Sequence, residues 1–205
     1  MLVNMSVEKF LEETASNSPV PGGGSIAALC AAFSAALTQM VANLTNGKKG
    51  YEEVQEEIEL VSNKADKMKN IFMEYIDKDS QAFTEVMNAF KLSKDTNEKI
   101  QFRINTIQEA TKNAALIPLS VARQTFEMMD IVKFVVQNGN KNAVTDAAVA
   151  TMLARTAVLS ALYNVKINLS SIKDQEFVEN VTKEVSKLEK DVKSKEDEIL
   201  SKINL

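Results

Sequence analysis

With 205 residues, 45% of them hydrophobic and 25% charged, the chain fits one ordinary domain with a substantial core, expected here to span residues 1–205. A formal net charge of −4, with lysines interleaved among glutamates, leaves no basic face for nucleic acid. Histidine is absent and Cys30 is the one cysteine; this removes the Ser-His and Cys-His nucleophile pairs, the commonest metal ligand and any disulfide within the chain, and points to a reducing, cytoplasmic setting.

The opening "MLVNMSVEKFLEE" lacks the basic start and apolar core of a secretory signal. Next, "PVPGGGSIAALCAAFSAALTQMVANLT" (residues 19–45) sets three glycines between a Pro-x-Pro turn and a run of small apolar residues. The run fails as a phosphate-binding loop, because Ser25 and Ile26 stand where Lys and Ser/Thr are needed and no strand pattern precedes them. It fails as a membrane span, because Ser34, Thr38 and Gln39 interrupt it early. One reading is a turn that starts a central helix whose small side chains let neighbouring backbones approach. The other is that Gly22, Gly23 and Gly24 bring backbone N–H groups and a helix N-terminus against a ligand.

From Tyr51 the apolar positions Val54, Ile58, Val61, Ala65, Met68, Phe72 and Tyr75 recur at 3/4 spacing, the mark of one helical stripe. Three long segments apolar on at least one side follow: "TNEKIQFRINTIQEATKNAALI", "PLSVARQTFEMMDIVKFVV" and "DAAVATMLARTAVLSALYNVKINL". The tail repeats the stripe with Val178, Val181, Val185, Leu188, Val192 and Ile199, broken by Lys195. No segment alternates with period 2. The expectation is an all-α, single-domain bundle of roughly seven or eight helices, with loops near residues 16–24, 46–50, 92–97, 138–145 and 170–175.

Continued past Tyr75, the first stripe lands on Asp79 before reaching Ala82, Val86 and Ala89. A lone charge on an apolar stripe is expensive unless it is paired or used, so Asp79 is a partnered core carboxylate, a surface residue in a frayed register, or a working acid. Arg103, one of three arginines, shares a stripe with Ile100, Ile107, Ala110 and Ala114 and suits a carboxylate partner or an anion clamp. In "NKNAVTDAAVA", Asn142, Thr145 or Asp146 is placed to cap a helix. Asn164 and Asn168 stand one turn apart on one face of that helix.

Taken together, "PGGGSIAAL", "MVANLT" (40–45), "DSQAF" (79–83), Arg103, "PL" (118–119), "TDAAVA" (145–150) and "NVKINL" (164–169) resemble the cyclodeaminase/cyclohydrolase family of folate enzymes. The family includes the C-terminal domain of formiminotransferase-cyclodeaminase and free-standing bacterial methenyltetrahydrofolate cyclohydrolases. The likeness runs in order through nearly the whole chain and implies a stand-alone version without the formiminotransferase domain. Thr145 replaces a usual Ser, and Ser93 stands where Pro often precedes Lys94.

The resemblance implies an all-helical homodimer that takes a tetrahydrofolate derivative as substrate, with no metal or redox cofactor and no membrane. A cyclodeaminase converts 5-formimidoyltetrahydrofolate into 5,10-methenyltetrahydrofolate and ammonia. A cyclohydrolase instead opens the methenyl bridge with water to give 10-formyltetrahydrofolate. With no histidine, Asp79 and Asp146 are the candidates for proton work. Asp79 is expected as the acid/base, and Asp146 as a partner for the guanidine-like edge of the pterin. Gly22, Gly23, Gly24, Ser25, Arg103, Asn142, Asn164 and Asn168 are the expected substrate-binding residues. Lys48 and Lys49 either meet a glutamyl tail or sit in a solvated loop. A competing reading is a non-catalytic helical module whose final heptads pair with a partner helix.

Overall fold

The computed structural model describes residues 1–204 and, among them, six α-helices with three short 3-10 turns. In chain order these are α1 (Val7–Thr14), α2 (Gly23–Asn43), α3 (Gln55–Phe90), α4 (Asn97–Asn138), α5 (Val144–Leu169) and α6 (Gln175–Leu200). Helices α1, α4 and α6 start at Ser6, Thr96 and Asp174, whose side-chain oxygens accept the backbone N–H of Lys9, Lys99 and Phe177; each cap satisfies a donor the first turn leaves free.

The all-α expectation holds, but the count is six rather than seven or eight. The main difference is α4, 42 residues long with Pro118 inside it, where the sequence reads as two helices. Proline removes one intrahelical donor and leaves the carbonyl four residues earlier without its partner. Here that carbonyl belongs to Ala114, and Asn168 on α5 donates its Nδ2 to it at 3.0 Å. A neighbouring helix thus repairs the break, and α4 runs on.

The core is built on α2 and α5. Ala28, Ala31, Ala35, Thr38 and Ala42 on α2, and Ala147, Ala150, Ala154, Ala157 and Ala161 on α5, recur at 3/4 spacing and are all fully buried. Small side chains at that spacing allow two helix backbones to approach closely along a shared seam. The pair runs antiparallel: Gly23 lies against Asn164, and the Ser34 hydroxyl donates to the Ala150 carbonyl at 2.7 Å. Contrary to the expectation that Ser34, Thr38 and Gln39 make α2 too polar, α2 and residues 141–169 are each long and apolar enough to cross a membrane, yet their alanine rows are buried inside the bundle.

Helix α3 packs on α2, and α4 packs on both α3 and α5, so four long helices close into a bundle. Helix α6 lies outside against α5 and α4. It buries Val181, Val185, Leu188, Val192 and Ile199, so the heptad stripe read as a candidate surface for a partner helix is occupied within the chain. Lys195, which breaks that stripe, donates to the Phe126 carbonyl at 3.1 Å, lies 4.5 Å from the centre of the Phe126 ring and pairs with Asp130 at 2.7 Å. Arg123–Glu184 and Lys133–Glu198 add further ion pairs between α4 and α6.

Candidate functional site

The long helix α3 follows the expected stripe, burying Ile58, Val61, Ala65, Phe72, Ile76, Ala82 and Ala89. That register turns Asp79 inward, toward the first turn of α2. The Ser25 hydroxyl donates to Asp79 Oδ2 at 3.0 Å, and the Ser25 backbone N–H donates to the same carboxylate. Asp79 therefore occupies the positive end of α2, where free N–H groups favour a negative charge.

The glycines make this closeness possible. A Cβ on Gly24 would stand 2.0 Å from Asp79 Oδ1, and one on Gly23 would stand 3.1 Å from Asn164 Nδ2. Only a residue without a side chain fits between α2 and the Asp79 carboxylate. Burial pushes the Asp79 carboxyl above the usual carboxylate range, and the two Ser25 hydrogen bonds oppose that shift without cancelling it.

In front of Asp79 lies a cleft of about 320 Å³. Its polar groups are Asp79, Asn164 and Asn168 with the backbone of Gly22–Gly24; Phe83, Val86 and Ile167 supply apolar wall. Asn168 spends both amide hydrogens inside the protein, on the carbonyls of Ala114 and Asn164, leaving Oδ1 to offer to a ligand. Asn164 donates one hydrogen to the Ser160 carbonyl and keeps its other N–H and Oδ1. Among the described residues, Asp79 is the only ionisable side chain lining this space. A larger hollow of about 500 Å³ lies between α3 and α4, but its glutamates, Glu85 and Glu109, are exposed. The smaller cleft holds the half-buried carboxylate of Asp79. Among the described residues, no three Cys, Asp or Glu side chains gather as a metal-holding group.

The candidates from the sequence separate into two sets. Gly22, Gly23, Gly24, Asp79, Asn164 and Asn168 line one cleft. Ser25 is fully buried behind Asp79 and does not line it. Arg103 lies elsewhere: its Nε and Nη2 donate to the Phe90 carbonyl at 3.3 and 3.0 Å, closing the C-terminal end of α3. It is not the partner of Asp79. Asp146 and Asn142 sit at the start of α5; the 18 residues separating Asp146 from Asn164 span about 27 Å at the α-helical rise. Asn140 caps the 3-10 turn Lys141–Ala143 by accepting the Asn142 backbone N–H, while α5 itself starts at Ala143 with no side-chain cap, so none of Asn142, Thr145 and Asp146 caps it. Lys48 donates to Asn140 at 2.9 Å, and Lys49 is exposed. Phe83 and Ile167 were missed, though each lies one turn from a chosen residue, at Asp79 + 4 and Asn164 + 3.

The sequence profile of the family described as formiminotransferase-cyclodeaminase matches residues 6–187. A protein named methenyltetrahydrofolate cyclohydrolase from Methylorubrum extorquens is 39% identical over 92% of this chain and 90% of its own length. A formimidoyltransferase-cyclodeaminase from Rattus norvegicus is 30% identical over 94% of this chain, which spans 36% of the rat protein. The crystal structure of formiminotetrahydrofolate cyclodeaminase from Thermotoga maritima superimposes with a TM-score of 0.88 at 28% identity, covering 99% of this chain and 98% of that one.

Proposed function

This chain belongs to the formiminotransferase-cyclodeaminase family, and from that premise we propose that it is a folate enzyme working at the carbon that bridges N5 and N10 of tetrahydrofolate. The observation that carries the reading is Asp79: one carboxylate, with a raised proton affinity, in a partly apolar cleft with no other ionisable lining residue. A carboxylate there stabilises a cationic methenyl bridge and also moves a proton at the same carbon.

In the hydrolytic direction, water adds to the bridge carbon and gives a proton to Asp79. The tetrahedral adduct then collapses: the N5–carbon bond breaks, Asp79 returns its proton to N5, and the hydroxyl proton of the adduct leaves to solvent as the formyl C=O forms. In the deaminating direction, N10 attacks the carbon of the protonated formimidoyl group (–CH=NH2+), Asp79 takes the N10 proton and passes it to the amino group, and ammonia leaves to give the methenyl cation. Of the two, hydrolysis is favoured by the 39% identity to the bacterial cyclohydrolase over nearly its full length, against 28–33% for the cyclodeaminases.

Asn164 and the free Oδ1 of Asn168 hydrogen-bond the pterin, which lies against the glycine backbone and beside Phe83 and Ile167. The folate derivative is the substrate, and no metal or redox group takes part. Asp146 and Asn142, at the far end of α5, could reach the cleft only from a second subunit. A homodimer is supported by the apolar side chains that α2 and α5 leave exposed, Phe33, Met40, Val149, Met152, Tyr163 and Ile167. The setting proposed is the cytoplasm, where Cys30 stays reduced.

The deciding experiment supplies purified protein with each folate and follows methenyltetrahydrofolate absorbance. Accelerated loss of methenyltetrahydrofolate identifies the cyclohydrolase, and its appearance from the formimidoyl substrate identifies the cyclodeaminase. If neither reaction is accelerated, the proposal fails.

A further inference from the structure

We propose that Ser80, acting through Ser25, is a positioning residue that sets the proton affinity of Asp79 by a two-hydroxyl relay; this rests on Asp79 being the acid/base. Ser25 Oγ lies 3.0 Å from Asp79 Oδ2, 3.0 Å from the Ile76 carbonyl and 3.1 Å from Ser80 Oγ. It is fully buried, so no water competes for it. Ser80 is half-buried and follows Asp79 on α3, so it meets Ser25 without entering the cleft.

The Ser25 hydroxyl has one proton and three acceptors in reach, Asp79, the Ile76 carbonyl and Ser80 Oγ, the last of which can equally donate to it. When Asp79 is ionised, Ser25 donates to it and Ser80 donates to Ser25, so both hydroxyls polarise toward the negative charge. When Asp79 is protonated, its O–H donates to Ser25 Oγ, and the Ser25 proton turns to the Ile76 carbonyl. Each protonation state keeps the Ser25 proton bonded. Rotation of hydroxyls, with no movement of backbone, lets the site pass between them.

Among the described residues, no competing charge faces Asp79. Helix α2 presents the backbone of Gly24 and Ser25; α5 presents the neutral amides of Asn164 and Asn168; α4 presents Ala114. The loop before α2 contributes Pro19 and Val20. On α3 itself, Lys78 is engaged by Glu74 at 2.8 Å, and Asp77 accepts the Leu2 backbone N–H at 2.6 Å. Beside the fixed backbone at the start of α2, the hydroxyls of Ser25 and Ser80 are therefore the side-chain groups left to tune this carboxylate.

The test replaces Ser80 by Ala and by Thr, and Ser25 by Ala. The Asp79 carboxyl is titrated directly by carbon-13 NMR in the free enzyme, and kcat is measured against pH. Ser80→Ala should move the Asp79 titration upward by roughly half a unit, and Ser25→Ala by roughly a unit or more, as a donor to the charged form is lost. Ser80→Thr keeps a hydroxyl and should restore the wild-type titration. An unmoved Asp79 titration in a folded Ser80→Ala enzyme overturns the relay. The kcat profile tests the other reading separately: a titration that moves while the rate profile stays fixed upholds the relay and removes Asp79 from proton transfer.

Discussion

Gly24 and Asp79 are separated by 55 positions in sequence, yet a methyl group on the first would stand 2.0 Å from a carboxylate oxygen of the second. The Asp79 carboxylate rests on bare backbone at the start of α2. Gly24→Ala should therefore displace the carboxylate from its Ser25 donors rather than fill a void. The expected outcome is a protein that keeps its helical circular dichroism but loses most of its kcat. Normal turnover in that variant would show that the Asp79 position does not matter to the reaction.

Asp79→Asn should lower kcat by about 10²–10⁴-fold, the usual cost of losing a general acid/base. Its effect on stability depends on pH. Burial raises the folded-state pKa of Asp79 above its unfolded value. The neutral acid thus favours the fold, fully so below the unfolded pKa, and that contribution is lost as pH rises through the folded one. An amide stays neutral throughout. Relative to wild type, Asp79→Asn should gain in Tm as the pH rises above about 4. A Tm difference that does not change with pH would contradict the raised proton affinity.

Asn168 and Pro118 should be energetically coupled. Asn168→Ala strands the Ala114 carbonyl that Pro118 cannot satisfy, at about 1–3 kcal/mol. Pro118→Ala supplies an N–H to the same carbonyl, so in that background the Asn168→Ala penalty should shrink. Chemical denaturation of the two single variants and the double variant measures the coupling directly. Strictly additive effects would mean that the 3.0 Å hydrogen bond does not repair the helix.

The proposed homodimer predicts a light-scattering mass near twice the 22.6 kDa of the chain. Met152, half exposed on α5, belongs to the apolar face that would be covered. Met152→Lys should shift the mass toward the monomer without unfolding it. A wild-type mass near 22.6 kDa at micromolar concentration would remove the dimer, and with it any route for Asp146 to the cleft.

What the sequence determined by itself is what depends on local periodicity. Apolar spacing at 3/4 intervals determined the all-α class and the face that α3 buries, and put Asp79 on that face without deciding whether the register held to that point, because a helix makes residues three and four apart neighbours whatever surrounds it. Tertiary structure alone decided the rest. Pro118 breaks a helix only if its freed carbonyl stays unsatisfied, and the repairing amide is Asn168, 54 positions from Ala114 on another helix. Arg103 lies on an apolar stripe just as Asp79 does, but it ends at the Phe90 carbonyl because the turn after α3 brings that helix end within its reach. Asp146 shares the acidic chemistry of Asp79, yet α5 is rigid and about 27 Å of it lies between Asp146 and the cleft. A residue type signals what chemistry is available; only the packing of helices decides which groups meet.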